Sequence, residues 1–214
     1  MMAVHTLVEY FCARLENIEQ SLNNRAGIKE SAEALFTLIN VGEGKRFPPG
    51  DAVDVAKAIF TLSSNDILRD QKLPTRVALL RLLELLMESY KSHLLKDLGN
   101  EKFVQGVVSM AAFEKDPNCL RVLFGMFEDL SRNWKLTEDE CNPIFQSFSR
   151  YYPISLKEAI NKDPAVPTPE ELKLLLLNCF TSNDFYAKEA FGRLIDMLDA
   201  NHDLSANSKA SAPV

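Results

Sequence analysis

Apolar residues return at intervals of three and four along most of the chain, and this spacing constrains the fold more than any other feature. Val4, Leu7, Val8, Phe11, Leu15, Ile18 and Leu22 fall on one face of an α-helix, because 3.6 residues complete each turn. Ile28, Leu35, Leu38 and Ile39 mark a second helix, and Gly42 and Gly44 stop it, since glycine suits a helix C-terminus. Phe47-Pro48-Pro49-Gly50-Asp51 breaks the chain, and Asp51 is expected to cap a third helix running to about Leu62. Leu79, Leu82, Leu83, Leu86 and Tyr90 share the face of a fourth, which Leu80, Leu85 and Met87 widen. A helix apolar around so much of its circumference lies buried between neighbours.

The second half repeats the pattern with clearer start signals. Val104, Val107, Val108 and Ala111 form a stripe after Gly99. Asp116-Pro117 supplies a capping carboxylate followed by proline at the first helical position. Leu120, Leu123, Phe124 and Phe127 then line one side, with Cys119, Val122, Met126 and Leu130 beside them. Thr137 and Glu140 have capping-box spacing for a helix reaching about Tyr151. An irregular stretch with prolines at 153, 164, 167 and 169 follows, with a short helix expected around residues 156–160. Thr168-Pro169 restarts regular helix, and a last helix carries Phe191, Leu194, Ile195 and Leu198.

β-Branched alternation of useful length and Asn-Gly hairpin turns are both missing. Eight or nine helices joined by mostly short turns make helical hairpins, and successive hairpins begin roughly 40 to 50 residues apart, the period of HEAT and armadillo arrays. The expected fold is therefore all-α: an α-α superhelix of HEAT-like repeats, a right-handed solenoid of antiparallel helix pairs. Residues 1–200 form one helical-repeat domain and residues 201–214 a disordered tail, being small and polar. The rival architecture is an irregular helical bundle.

Chemistry is harder to find. The net charge is -6, and no run of three basic residues occurs, so the concentrated positive surface that nucleic-acid binding requires is missing. No apolar run approaches the 18 residues of a membrane span. Cys12, Cys119, Cys141 and Cys179 are scattered, and no His or Cys pair stands three or four apart, so no helical metal site arises locally. His5, His93 and His202 read as solvated surface histidines. Gly42-Glu43-Gly44-Lys45 has the wrong spacing for a phosphate loop. Acidic pairs such as Glu138-Asp139 and Glu170-Glu171 suit the positive end of a helix dipole. Trp134 either anchors an inter-repeat turn or faces a partner, and the Tyr151-Tyr152-Pro153 corner has the same two readings. No catalytic, cofactor-binding or metal-binding residue is assigned. The chain is expected to be a non-enzymatic protein-binding scaffold without a cofactor, working through surfaces the sequence does not single out.

From about Phe103 to Lys209 the chain resembles the N-terminal region of the MMS-nineteen family. The residues that carry this likeness are FEKDPNCLRVLFGMFEDLS, FQSFSRYYPIS, NKDPAVPTPEELKLLLLNCF and AKEAFGRLIDMLDA. FPPGDAVDVAKAIF adds a looser match. The resemblance implies a HEAT-repeat adaptor linked to nucleotide excision repair and to cytosolic iron–sulfur protein assembly. It further implies partners: a WD-repeat propeller and a small companion subunit of the iron–sulfur targeting complex, and apo helicases, polymerases and primases that receive clusters. Ties to RNA polymerase II transcription and to heterochromatin, and a location in cytoplasm and nucleus, follow from the same likeness. It implies no small-molecule substrate and no direct nucleic-acid contact. Family members run far longer than 214 residues, so a fragment or a variant end is expected. The alternative is an unrelated HEAT or armadillo scaffold, such as one serving nuclear transport or a phosphatase.

Overall fold

A computed structural model describes residues 2–18, 27–41, 47–64, 68–112, 114–154 and 165–195. The expectations for Leu22, the Gly42–Gly44 stop, the short helix at 156–160, Leu198, His202 and the tail fall outside them. Among the described residues the ordered elements are helices: α1 (Met2–Glu16), α2 (Ile28–Val41), α3 (Pro49–Ser64), α4 (Leu73–Ala111), α5 (Pro117–Asn133), α6 (Glu138–Ser149), α7 (Pro169–Phe180) and α8 (184–195).

The start signals act as their chemistry requires. The Asp116 carboxylate accepts the Asn118 N–H at 2.9 Å ahead of Pro117. Thr137 and Glu140 close a reciprocal capping box, with contacts of 2.8 and 3.3 Å. Thr168 Oγ1 accepts the Glu171 N–H at 3.1 Å. Each bond satisfies an amide that the first helical turn leaves orphaned. The sequence expectation fails at Asp51. Helix α3 begins at Pro49, so Asp51 lies inside the first turn and its carboxylate turns sideways to another helix.

The α4 segment is not one straight helix. Tyr90 (φ -126°, ψ 19°) and Gly99 (φ 75°, ψ 163°) leave helical geometry. A straight run of its 39 residues would extend about 58 Å. Instead Arg76 in the first turn meets Glu114 beyond the last one at 3.0 Å. Lys91 reaches the Asn133 carbonyl and the ring of Trp134, which stacks on Phe103. The element is therefore a hairpin, with a first arm from Leu73 and a second from Asn100. Gly99 makes the reversal because only glycine adopts that positive φ without strain.

Once α4 is split, the helices sort into two layers. One holds α1, α3, the second arm of α4, α6 and α8. Its junctions are α1 on α3, Phe60 of α3 edge-on to Phe103 at 5.3 Å, Asn100 with Glu140 of α6, and Phe145 and Phe148 of α6 against Tyr186 of α8. The other holds α2, the first arm of α4, α5 and α7. There α2 lies beside Val77 and Arg81, Glu84 fits against Gly125, and Cys179 of α7 donates to the Phe124 carbonyl. First-layer helices start near residues 2, 49, 100, 138 and 184, close to the 40–50-residue period of HEAT arrays. The fold is an all-α superhelix of paired helices, and one continuous apolar core runs between the layers from Val8 to Tyr186. The irregular bundle is set aside, because the helices pack on near neighbours in a row.

Candidate functional site

Polar groups that could do chemistry are spread along the row rather than gathered. His93 is exposed on α4. His5 is more engaged than a solvated histidine: Nδ1 lies 3.0 Å from Asp51 Oδ1 and Nε2 lies 3.4 Å from Glu9. The bond to Asp51, then the charges of Asp51 and Glu9, raise its pKa. This His5–Asp51 clip between α1 and α3 spans 46 residues, so no local spacing could have announced it.

The thiols are built into layer junctions. Burial, reinforced by nearby carboxylates, pushes Cys12 and Cys119 up to about 12. Burial likewise drives Cys141 and Cys179 upward. A thiol so raised stays protonated at neutral pH and is a poor nucleophile or metal ligand. Among the described residues no three His, Cys, Asp or Glu side chains are placed to hold a metal ion, and no helix is long and apolar enough to cross a membrane.

Trp134 settles between its two readings. It is 2% exposed, stacks on Phe103 at 4.6 Å, and its indole N–H points to Asp129 at 3.3 Å. It anchors the turn between α5 and α6. Tyr151 is also internal: its hydroxyl donates to the Glu114 carbonyl at 2.9 Å, with the Ala111 carbonyl at 3.1 Å. Tyr152 divides the corner's two readings, with one edge on Phe180 and 48% of its surface in solvent.

Outer surfaces remain as the place for work. On the second layer, a groove of about 350 Å³ lies between α2 and α4, with Phe36, Val77 and Ala78 on its floor and Lys29, Glu33 and Arg81 at its rim. Beside it Glu84 sits in the notch left by Gly125, with the missing Cβ position 3.3 Å from its carboxylate. Burial, then the charge of Glu88, raises Glu84 to about 7, against the pull of Arg81 and Arg121. Arg121 pairs with Glu171 of α7 at 3.8 Å. On the first layer, a groove of about 340 Å³ between α4 and α6 is edged by Glu101, Asp139 and Glu140. The second-layer groove thus carries charges of both signs and the first-layer groove only carboxylates. Such a surface suits other folded proteins better than a polyanion. Sequence reading missed these grooves because each is assembled from helices tens of residues apart.

The sequence matches, over residues 1–210, the family described as "Dos2-interacting transcription regulator of RNA-Pol-II". It is similar to the "DNA repair/transcription protein mms19" of Schizosaccharomyces pombe, 26% identical over 198 residues, which is 92% of this chain and 18% of the relative. A Saccharomyces cerevisiae relative, likewise named as a DNA repair/transcription protein of the MMS19 type, is 26% identical over 108 residues, 50% of this chain and 10% of the relative. The "MMS19 nucleotide excision repair protein homolog" of Dictyostelium discoideum is 28% identical over 126 residues, 59% and 11% respectively. The chain thus spans less than a fifth of the length of these relatives. No solved structure matches it.

Proposed function

The chain belongs to the family of Dos2-interacting transcription regulators of RNA-Pol-II, and from that premise we propose that it is a non-catalytic adaptor in DNA repair and transcription. Membership sets aside the unrelated transport or phosphatase scaffold. In the finer reading, the row recruits apo iron–sulfur proteins to the cytosolic targeting complex. Those clients are helicases, polymerases and primases, and the complex contains a propeller subunit and its small companion. The adaptor works in both cytoplasm and nucleus.

The observation that carries the reading is the distribution of side chains. Among the described residues the core takes up most of the aromatic rings and three of the four thiols, while the outer helix faces keep charged side chains and shallow grooves. Enzymes converge several polar groups on one cleft; here His5 and His93 lie on different helices and the thiols are buried or half-buried. Helical-repeat rows use such extended faces to hold other chains.

The test is affinity capture with tagged full-length parent protein, followed by mass spectrometry, and then binding of purified apo and cluster-loaded helicase to the 214-residue chain. The expected result is recovery of cluster-carrying helicases and polymerases together with the propeller subunit, and tighter binding of the apo form. Recovery of none of these enzymes by the parent would remove the iron–sulfur reading and leave the repair and transcription assignment standing.

A further inference from the structure

Helix α1 is held to the row by two kinds of contact. Val8, Phe11 and Leu15 are buried in the core, and a polar clip closes the edge above them. In that clip the His5 side chain of α1 is 59% exposed, while the Asp51 side chain of α3 is only 9% exposed. Asp51 Oδ1 lies 3.0 Å from His5 Nδ1, and Asp51 Oδ2 is buried and meets no hydrogen-bond donor among the described residues. A carboxylate so far out of water is costly unless a partner offsets its charge, and His5 is placed to do so. The other ring nitrogen, Nε2, lies 3.4 Å from Glu9 Oε1. Both nitrogens therefore face carboxylates. Only the imidazolium can donate to both, because a neutral ring has one N–H and turns a lone pair toward the second acid. Asp54, also on α3, adds a third negative charge, although Lys57 lies 3.7 Å from it.

We propose that His5 is a pH-operated latch between α1 and α3: as an imidazolium it ties Asp51 to Glu9, and as a neutral imidazole it lets α1 open from α3 more often. The buried apolar residues keep α1 in place in either state, so the latch sets the frequency of opening and not the fold. The sign follows from the surroundings. The hydrogen bond to Asp51, then the charges of Asp51 and Glu9, raise the His5 pKa against a smaller opposing effect of burial, and Asp54 adds to the rise. The dipole of α1 opposes a positive charge in its first turn, and the carboxylates outweigh it. A pKa raised by folding means stability that is complete below the unfolded value of about 6.5 and lost as the pH rises through the folded one. The latch is closed in mildly acidic solution and releases on the alkaline side. This inference is independent of the adaptor reading.

Amide hydrogen exchange of the 214-residue chain, corrected for the intrinsic pH dependence of exchange, reads the latch in α1. Wild-type protection of α1 should fall between about pH 6 and 9, by up to about tenfold for each unit by which folding raises the His5 pKa. His5→Gln, at a side chain that already faces water, should remove that fall. The titration of Glu84 is common to both chains and cancels in the difference between them. In a proton NMR titration the imidazole C–H resonance of His5 should have its midpoint above about 6.5, and Glu9→Gln should lower that midpoint. A wild-type α1 profile that parallels that of His5→Gln, or a His5 midpoint at or below about 6.5, overturns the proposal.

Discussion

Leu83 and Phe124 are fully buried, one on each of two adjacent second-layer helices. Truncating either to alanine removes apolar contacts and leaves a cavity that the neighbours cannot close. We expect losses of about 2–5 kcal/mol in chemical denaturation. A change below about 1 kcal/mol in both would mean that these faces do not meet the core. Glu84 behaves oppositely. Its folded pKa, raised to about 7 by burial and by Glu88, exceeds that of the unfolded chain, so the proton stabilises the fold. Stability attached to this residue is full in acid and declines as the pH rises through about 7. Glu84→Gln should therefore flatten the pH dependence between about 5 and 8. It should also raise stability on the alkaline side by on the order of 1 kcal/mol, discounted for solvent screening. Identical melting profiles for variant and wild type across that range would show that the carboxyl titrates normally. Phe124 was legible in the sequence because its stripe neighbours Leu120, Leu123 and Phe127 share its face. Glu84 was not, because its burial, the largest cause of its shift, comes from packing against another helix at Gly125.

At the level of elements, one clasp joins the start of α4 to the segment after it. Glu114 accepts two bonds from Arg76, at 3.0 and 3.3 Å, and the N–H groups of Lys115 and Asp116, both at 2.9 Å. Arg76 also donates to the Gln71 carbonyl at 2.9 Å. Burial alone would raise the Glu114 pKa. The two N–H groups and the guanidinium outweigh it and hold the carboxyl below its usual range. A depressed folded pKa means stability that is complete above the unfolded value and lost as the pH falls through the folded one. Glu114→Gln should cost about 1–3 kcal/mol at pH 7, and the gap to wild type should close in acid. A gap that persists undiminished below about pH 3 would assign the loss to packing instead. Helix limits were legible wherever a cap is local: Asp116, Thr137 and Thr168 all act within three residues. Asp51 misled because capping and cross-helix pairing use the same carboxylate, and His5 arrives from 46 residues away. The last helix was legible as a helix, found at 184–195. Its apolar stripe is real, but Phe191, Leu194 and Ile195 remain in solvent, since spacing reveals a face and not what covers it.

Across the whole molecule, a row of helix pairs has no centre that every residue contacts. Its stability is a sum of hairpin terms and neighbour interfaces. Helices α4, α5 and α6 are enclosed from both sides, by Phe60 and Trp134 around Phe103 and by Phe127 and Tyr186 around Phe148. Helix α1 packs against α2 and α3 at one end of the row, and α8 carries the exposed face at the other. Amide hydrogen exchange should therefore run as a gradient. The slowest amides belong to the second arm of α4, to α5 and to α6, and the fastest helical ones to α1 and α8. Equal protection from α1 to α8 would point to a single cooperative globule and remove the physical basis for an adaptor whose surfaces are independent stations along a line.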